Sequence, residues 1–255
     1  MRPLEALALA LSGAGAGAMN ALAGGGTILT FPALLLLGHP ARIANATSTV
    51  ALLPGAASSL FGYRREVATH RAWLGSLLLP SLIGGTLGSL LLLATPERLF
   101  ARLAPWLVFF ATGLFALQNL RARRAGAAPD PAGPGDWRRS QAWLAQFAVA
   151  VYGGYFGAGI GILMLVVLGH LGLSDIHAMN GLKNFFGICI NAVAAAIFVV
   201  GGLVRWPEAL VLILGATVGG YAGARFGRWI GPRWARFAVI VIGVLVGCLL
   251  LLRRI

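Results

Sequence analysis

The stretch MNGLKN, Met179 to Asn184, sets a lysine one residue before the run Asn184–Val204, which carries no charged side chain. An ammonium at the mouth of an apolar segment is a candidate anion ligand. A second polar stretch, NATST (Asn45–Thr49), likewise precedes an apolar run. Asparagine is a favoured N-cap, so the spacing predicts helix starts at Asn45 and Asn180, each with unpaired N–H groups and the positive end of a helix dipole. Such ends bind anions. Thr47, Ser48 and Thr49 add hydroxyl donors, and an anion held between the two starts meets two dipoles, these hydroxyls and the Lys183 ammonium. The alternative is that Lys183 snorkels to an interface and that both asparagines only cap helices.

Other polar residues offer less. His170, His177 and Asp175 precede Lys183, where histidine chemistry would suit proton coupling; a surface loop is the alternative. Asn20 hydrogen-bonds either another helix or a ligand. Asn45 opens a glycosylation sequon, but as a helix start it reads as a cap. No GxSxG motif, carboxylate pair or metal-ligand spacing occurs, so an enzyme is not expected. Cys189 and Cys248 lie in apolar runs without CxxC spacing, so neither a disulfide nor a metal is expected. No cofactor is implied.

The elements that position these residues must lie in lipid. Hydrophobic residues make up 58% of the 255, charged residues 11%, and mean hydropathy is +0.84. That is a membrane composition. A bilayer core of about 30 Å needs about 20 apolar residues per helical span. Six uncharged runs meet or approach that length: Ile43–Tyr63, Leu74–Ala94, Leu103–Leu120, Asn184–Val204, Ala209–Ala224 and Phe237–Leu252. Two more, Ala6–Gly38 and Ser140–Ser174, are too long for one span, since at about 1.5 Å per residue either would be a rod of about 50 Å. Each must break, and the breaks read as AGGGT (Ala23–Thr27) and GAGIG (Gly157–Gly161). The count becomes about ten segments. The first is read as a retained span, because no basic region or small-residue cleavage pattern marks a signal peptide.

Sliding the chain against itself by 135 residues pairs Gly24 with Gly159, Gly26 with Gly161, Asn45 with Asn180, Gly84 with Gly219, Gly85 with Gly220 and Gly88 with Gly223. The expected fold is therefore an all-α polytopic membrane protein of two five-segment repeats with glycine-broken helices. Residues 1–120 form the first repeat, 121–139 a basic cytoplasmic linker and 140–255 the second repeat. An odd number of segments per repeat inverts the second relative to the first. Arginine placement agrees: the loop with Arg64, Arg65 and Arg71 is basic where its counterpart at Arg205 and Glu208 is lean, and the reverse holds for Arg98 and Arg102 against Arg225, Arg228, Arg233 and Arg236. Arg253 and Arg254 oppose this, because five crossings after the linker place them outside. A four-plus-four parallel duplication is the competing topology. The surplus of 20 Lys+Arg over 7 Asp+Glu fits loop arginines and anionic headgroups, not nucleic acid. The tryptophans at 73, 106, 137, 143, 206, 229 and 234 are expected as interface anchors.

GGGTILTFPALLLLG, ARIANATSTVALLPGAASSLFGY and RRE, repeated loosely as GYFGAGIGILMLVVLG and HAMNGLKNFFGICINAVAAAIF, resemble the TauE/SafE family of sulfite and organosulfur-anion exporters, permeases of the toluene sulfonate uptake type. The resemblance covers nearly the whole chain. It implies a small anionic substrate and places Gly24, Gly25, Gly26, Thr27, Asn45, Thr47 and Ser48 in one site element, with Gly159, Gly161, Asn180, Lys183 and Asn184 in the other. The usual second repeat carries a Thr-Ser pair where this chain has Leu182 and Lys183, so sulfite itself does not transfer directly.

The expected function is secondary transport of such an anion, as an exporter working by alternating access in the bacterial inner membrane. A passive anion channel or a small-carboxylate carrier is the rival. Expected partners are the anion, membrane lipid, a coupling ion with the proton as candidate, and a homo-oligomer left open. With no P-loop, the energy comes from a gradient.

Overall fold

The computed structural model describes residues 1–22, 25–60, 64–121, 136–173, 175–230 and 232–252. Most of the basic linker and the C-terminal arginines lie outside these ranges. Eleven helices occur among the described residues: α1 Pro3–Leu22, α2 Thr27–Leu36, α3 Ala41–Leu60, α4 Arg64–Thr69, α5 Arg71–Ala94, α6 Glu97–Arg121, α7 Asp136–Tyr155, α8 Ile160–His170, α9 Ile176–Val200, α10 Trp206–Ile230 and α11 Pro232–Leu252. The short α4 corresponds to no apolar run in the sequence, because it is basic.

Among the described residues, two helices, Arg71–Ala94 and His177–Val200, are long and apolar enough by length and composition to cross a bilayer. The sidedness of α5 says more. Its outward face carries Leu79, Ile83, Leu87, Leu90 and Leu91, all exposed, while Ser81, Gly84, Gly85, Gly88 and Ser89 are buried. A helix with leucines outside and small or hydroxyl residues inside is reversed relative to a water-soluble one. Lipid is the solvent that favours this arrangement, since close packing of small residues then drives helix association. The same holds for α10, where Leu210, Leu214, Val218 and Tyr221 face outward and Ala209, Leu212 and Ala216 inward.

The small residues let backbones touch. A Cβ on Gly84 would lie 2.6 Å from the Phe147 carbonyl oxygen of α7, and one on Gly88 would overlap that of Val151. On α10, Cβ atoms at Gly215 and Gly219 would overlap the α1 carbonyls of Ala10 and Ala14. Thus α5 packs tightly on α7 and α10 on α1, with α3 and α9 in contact at the centre and α6 against α11.

Two corrections follow for the tryptophans and the helix starts. Trp73 is fully buried among Leu77, Leu171 and Leu173, so it is a core residue and not an interface anchor; Trp106, Trp143 and Trp206 are exposed. Helix α3 starts at Ala41 and α9 at Ile176, so Asn45 and Asn180 stand inside helices and cap nothing of their own. In both cases the helix begins earlier, where other groups serve its first turn. Pro40 supplies the carbonyl that accepts from Ala44, and the Glu97 carboxylate of α6 accepts from the Ala41 and Arg42 N–H groups at 2.5 and 3.2 Å. At α9, Asp175 is the N-cap, accepting from the His177 N–H at 2.9 Å.

Candidate functional site

Both glycine breaks interrupt helices. Between α1 and α2, Gly25 takes φ 92°, and between α7 and α8, Gly157 and Gly159 take φ 78° and 77°. This left-handed backbone is open to glycine at little steric cost, which is why the chain turns there. Side chains from elsewhere satisfy the freed backbone. Asn20 of α1 accepts the Gly26 N–H at 2.7 Å, and Asn45 of α3 donates from Nδ2 to the Tyr155 carbonyl at the end of α7, 3.0 Å away.

The two breaks meet. A cavity of about 90 Å³ lies between them, lined by Asn20, Gly25 and Thr27 from the first break, Gly157, Ile160 and Gly161 from the second, Thr49, Leu52 and Ala56 of α3, and Lys183, Asn184, Gly187, Ile188 and Asn191 of α9. The first turns of α2 and α8 therefore both border it; the N–H groups of Ile28, Leu29, Ile160 and Ile162 are taken by the carbonyls of Gly25, Gly26, Gly157 and Gly159, and the dipole ends of the two helices make that border electropositive. Lys183 is 9% exposed; its Nζ donates to Asn180 Oδ1 at 3.1 Å. No carboxylate is among the lining residues.

Of the residues singled out from sequence, Asn20, Gly25, Thr27, Thr49, Gly161, Lys183 and Asn184 line the cavity. Gly24 lies outside the described residues. Gly26 is buried beside the cavity and Gly159 is the N-cap of α8. Asn180 holds the lysine. The remaining three work elsewhere: Asn45 on Tyr155, Thr47 Oγ1 accepting the Arg205 N–H at 3.1 Å, and Ser48 paired with the Thr30 hydroxyl. Ser48 and Thr47 thus stitch α3 to α2 and to the start of α10.

Sequence reasoning left Asn191 and Gly187 unmarked, although a signal existed. Asn180, Asn184, Gly187 and Asn191 recur at helical spacing along one face of α9, a polar stripe in an otherwise apolar helix. His170, His177 and Asp175 are exposed, with Asp175 occupied as a cap. Among the described residues no group of three or more His, Cys, Asp or Glu is placed to hold a metal.

Comparison with known proteins finds relatives described as membrane transporters. A protein from Haemophilus influenzae described as "Probable membrane transporter protein" is 27% identical over 89% of this chain and 87% of its own length. "Probable membrane transporter protein ORF9" of a Sinorhizobium species is 25% identical over 92% of this chain and 88% of its own. "Probable membrane transporter protein YfcA" of Escherichia coli K12 is 25% identical over 92% and 86%. No solved structure matches. The model of the family described as "Sulfite exporter TauE/SafE" matches residues 9–250, nearly the full chain, and the protein is a member of that family of membrane transporters.

Proposed function

We propose that this protein is a secondary transporter that exports a small anion, such as sulfite or an organosulfonate, by alternating access across the bacterial inner membrane, which it spans several times. The observation that carries this reading is a cavity onto which two glycine-broken helices both open their N-terminal ends beside a buried lysine. Broken helices in lipid persist only where they are buried in protein or line a wet cavity. Here the cavity offers donors and positive potential and no competing carboxylate. Its volume leaves room for several waters or one small ion, which favours the compact end of the substrate range.

The mechanism we infer uses two inverted halves, residues 1–120 and 140–255, each of five segments. The pairing of contacts supports it, because α1 on α10 and α7 on α5 exchange under a shift of 135 residues, as do α2 with α8 and α3 with α9. Rocking of one half against the other would then open the same cavity to either side. Ion coupling, with the proton as the first ion to test, supplies the energy, unless the substrate's own gradient does.

Uptake into proteoliposomes tests the reading with sulfite, thiosulfate, acetate and phosphate as probes. A carrier saturates and shows counterflow from a preloaded lumen. Flux without either property identifies a passive anion channel, and saturation by acetate alone identifies a carboxylate carrier.

A further inference from the structure

Gly26 and Gly161 occupy equivalent places, 135 residues apart, at the starts of α2 and α8. Neither has positive φ, so backbone conformation alone requires glycine at neither. What lies over them is the reason. A Cβ on Gly26 would sit 3.0 Å from Asn20 Nδ2 and 2.8 Å from the Ala16 carbonyl oxygen; one on Gly161 would sit 3.2 Å from Lys183 Cδ. Each glycine is a seat for a polar side chain from another helix, and both seated side chains line the same cavity.

The two seated residues differ in what they offer. Asn20 Oδ1 accepts the Gly26 N–H at 2.7 Å, which identifies the other end of its amide as Nδ2. Those two donors have no protein acceptor among the described residues. An amide with its acceptor already used and its donors bordering a cavity is built to receive a hydrogen bond acceptor. Opposite it, Lys183 reaches the cavity across Gly161.

Resting on the anion-transport reading above, we propose that Asn20 is a substrate-binding and specificity-determining residue: its Nδ2 donates to the anion from the first half of the chain while Lys183 supplies the charge from the second. The substrate class is an anion with at least two acceptor oxygens, one for each donor. Helix capping at the first break is the other role of Asn20, and a single substitution separates the two.

Asn20→Asp keeps the size and the oxygen that accepts the Gly26 N–H, but replaces the donors with an anionic acceptor facing the substrate. Purified protein is measured by thermal unfolding without added anion and by counterflow of labelled sulfite, thiosulfate, acetate and phosphate. The expected result is an unfolding midpoint close to that of the unsubstituted protein and a half-saturating concentration raised about tenfold or more, as a repelled anion and a lost charge-assisted bond require. Asn20→Ser, which can still donate, should fall between. Unchanged half-saturation in Asn20→Asp, with the unsubstituted protein saturating, overturns the assignment of Asn20 alone. Should the unsubstituted protein saturate with none of the four anions, the transport reading fails and this assignment fails with it. A variant that cannot be purified shifts the measurement to Asn20→Ser, where unchanged saturation likewise overturns the proposal.

Discussion

Lys183 is the residue on which the site turns, and its position depends on neighbours that carry no charge. Its stem crosses Gly161 and its ammonium donates to Asn180. Lys183→Gln preserves length and removes the charge, so the half-saturating anion concentration should rise about tenfold to a hundredfold, as expected for a hydrogen bond to a charged group worth about 1.5–3 kcal/mol. Equilibrium binding to detergent-solubilised protein checks this. Gly161→Ala acts through the lysine: alanine is the better helix former by about 1 kcal/mol, so the helix gains while the stem is pushed aside. The expected outcome is weaker anion binding in the native background and no further loss in a Lys183→Gln background. Additive losses in that double-mutant cycle would show that Gly161 serves the site by another route.

Helices in this molecule are ended by side chains and held together by missing ones. Asp175 caps α9 in place of the asparagine that the sequence pattern favoured; Asp175→Ala should destabilise the protein by about 1 kcal/mol without altering anion affinity, read from thermal unfolding with and without ligand. The glycine contacts are less forgiving. Gly88 of α5 lies against the Val151 carbonyl of α7, so Gly88→Val must separate two helices along their length. A loss of about 3 kcal/mol or more follows, seen as poor yield or a lowered unfolding midpoint, whereas Leu87→Val on the exposed face should cost little. The helix-start reading of NATST failed at this scale for a physical reason: a cap is defined by which N–H groups lack partners, and the partner for α3 is Glu97, 56 residues away from Ala41.

At the scale of the whole molecule, the two halves interlock through α3 and α9, through α1 on α10 and α5 on α7, and through the His39–Glu208 pair, whose Nε2 and Oε1 are 3.3 Å apart. Sidedness distinguishes the inverted from the parallel arrangement. With Cys189 and Cys248 replaced by serine, single cysteines at Thr69 and Gly202, both exposed, should react with an impermeant maleimide from opposite faces if each half crosses five times. Labelling of both from one face would instead mean four crossings per half.

Composition and glycine spacing by themselves determined that this chain is helical, that it belongs in lipid, and that two of its long apolar runs break at Gly25 and at Gly157–Gly159, because lipid tolerates few charges and only glycine turns so cheaply. They also marked Lys183 as the unusual charge. Which polar groups surround that lysine was decided only by tertiary structure. Asn45, Thr47 and Ser48 look as suitable as Asn20, Thr49 and Asn191 when read along the chain, yet the first three lie off the cavity, engaged by the Tyr155 carbonyl, the Arg205 N–H and the Thr30 hydroxyl, while the last three line it. Hydrogen-bonding capacity is local and legible in a sequence; whether a neighbour from a distant helix has already used it is not.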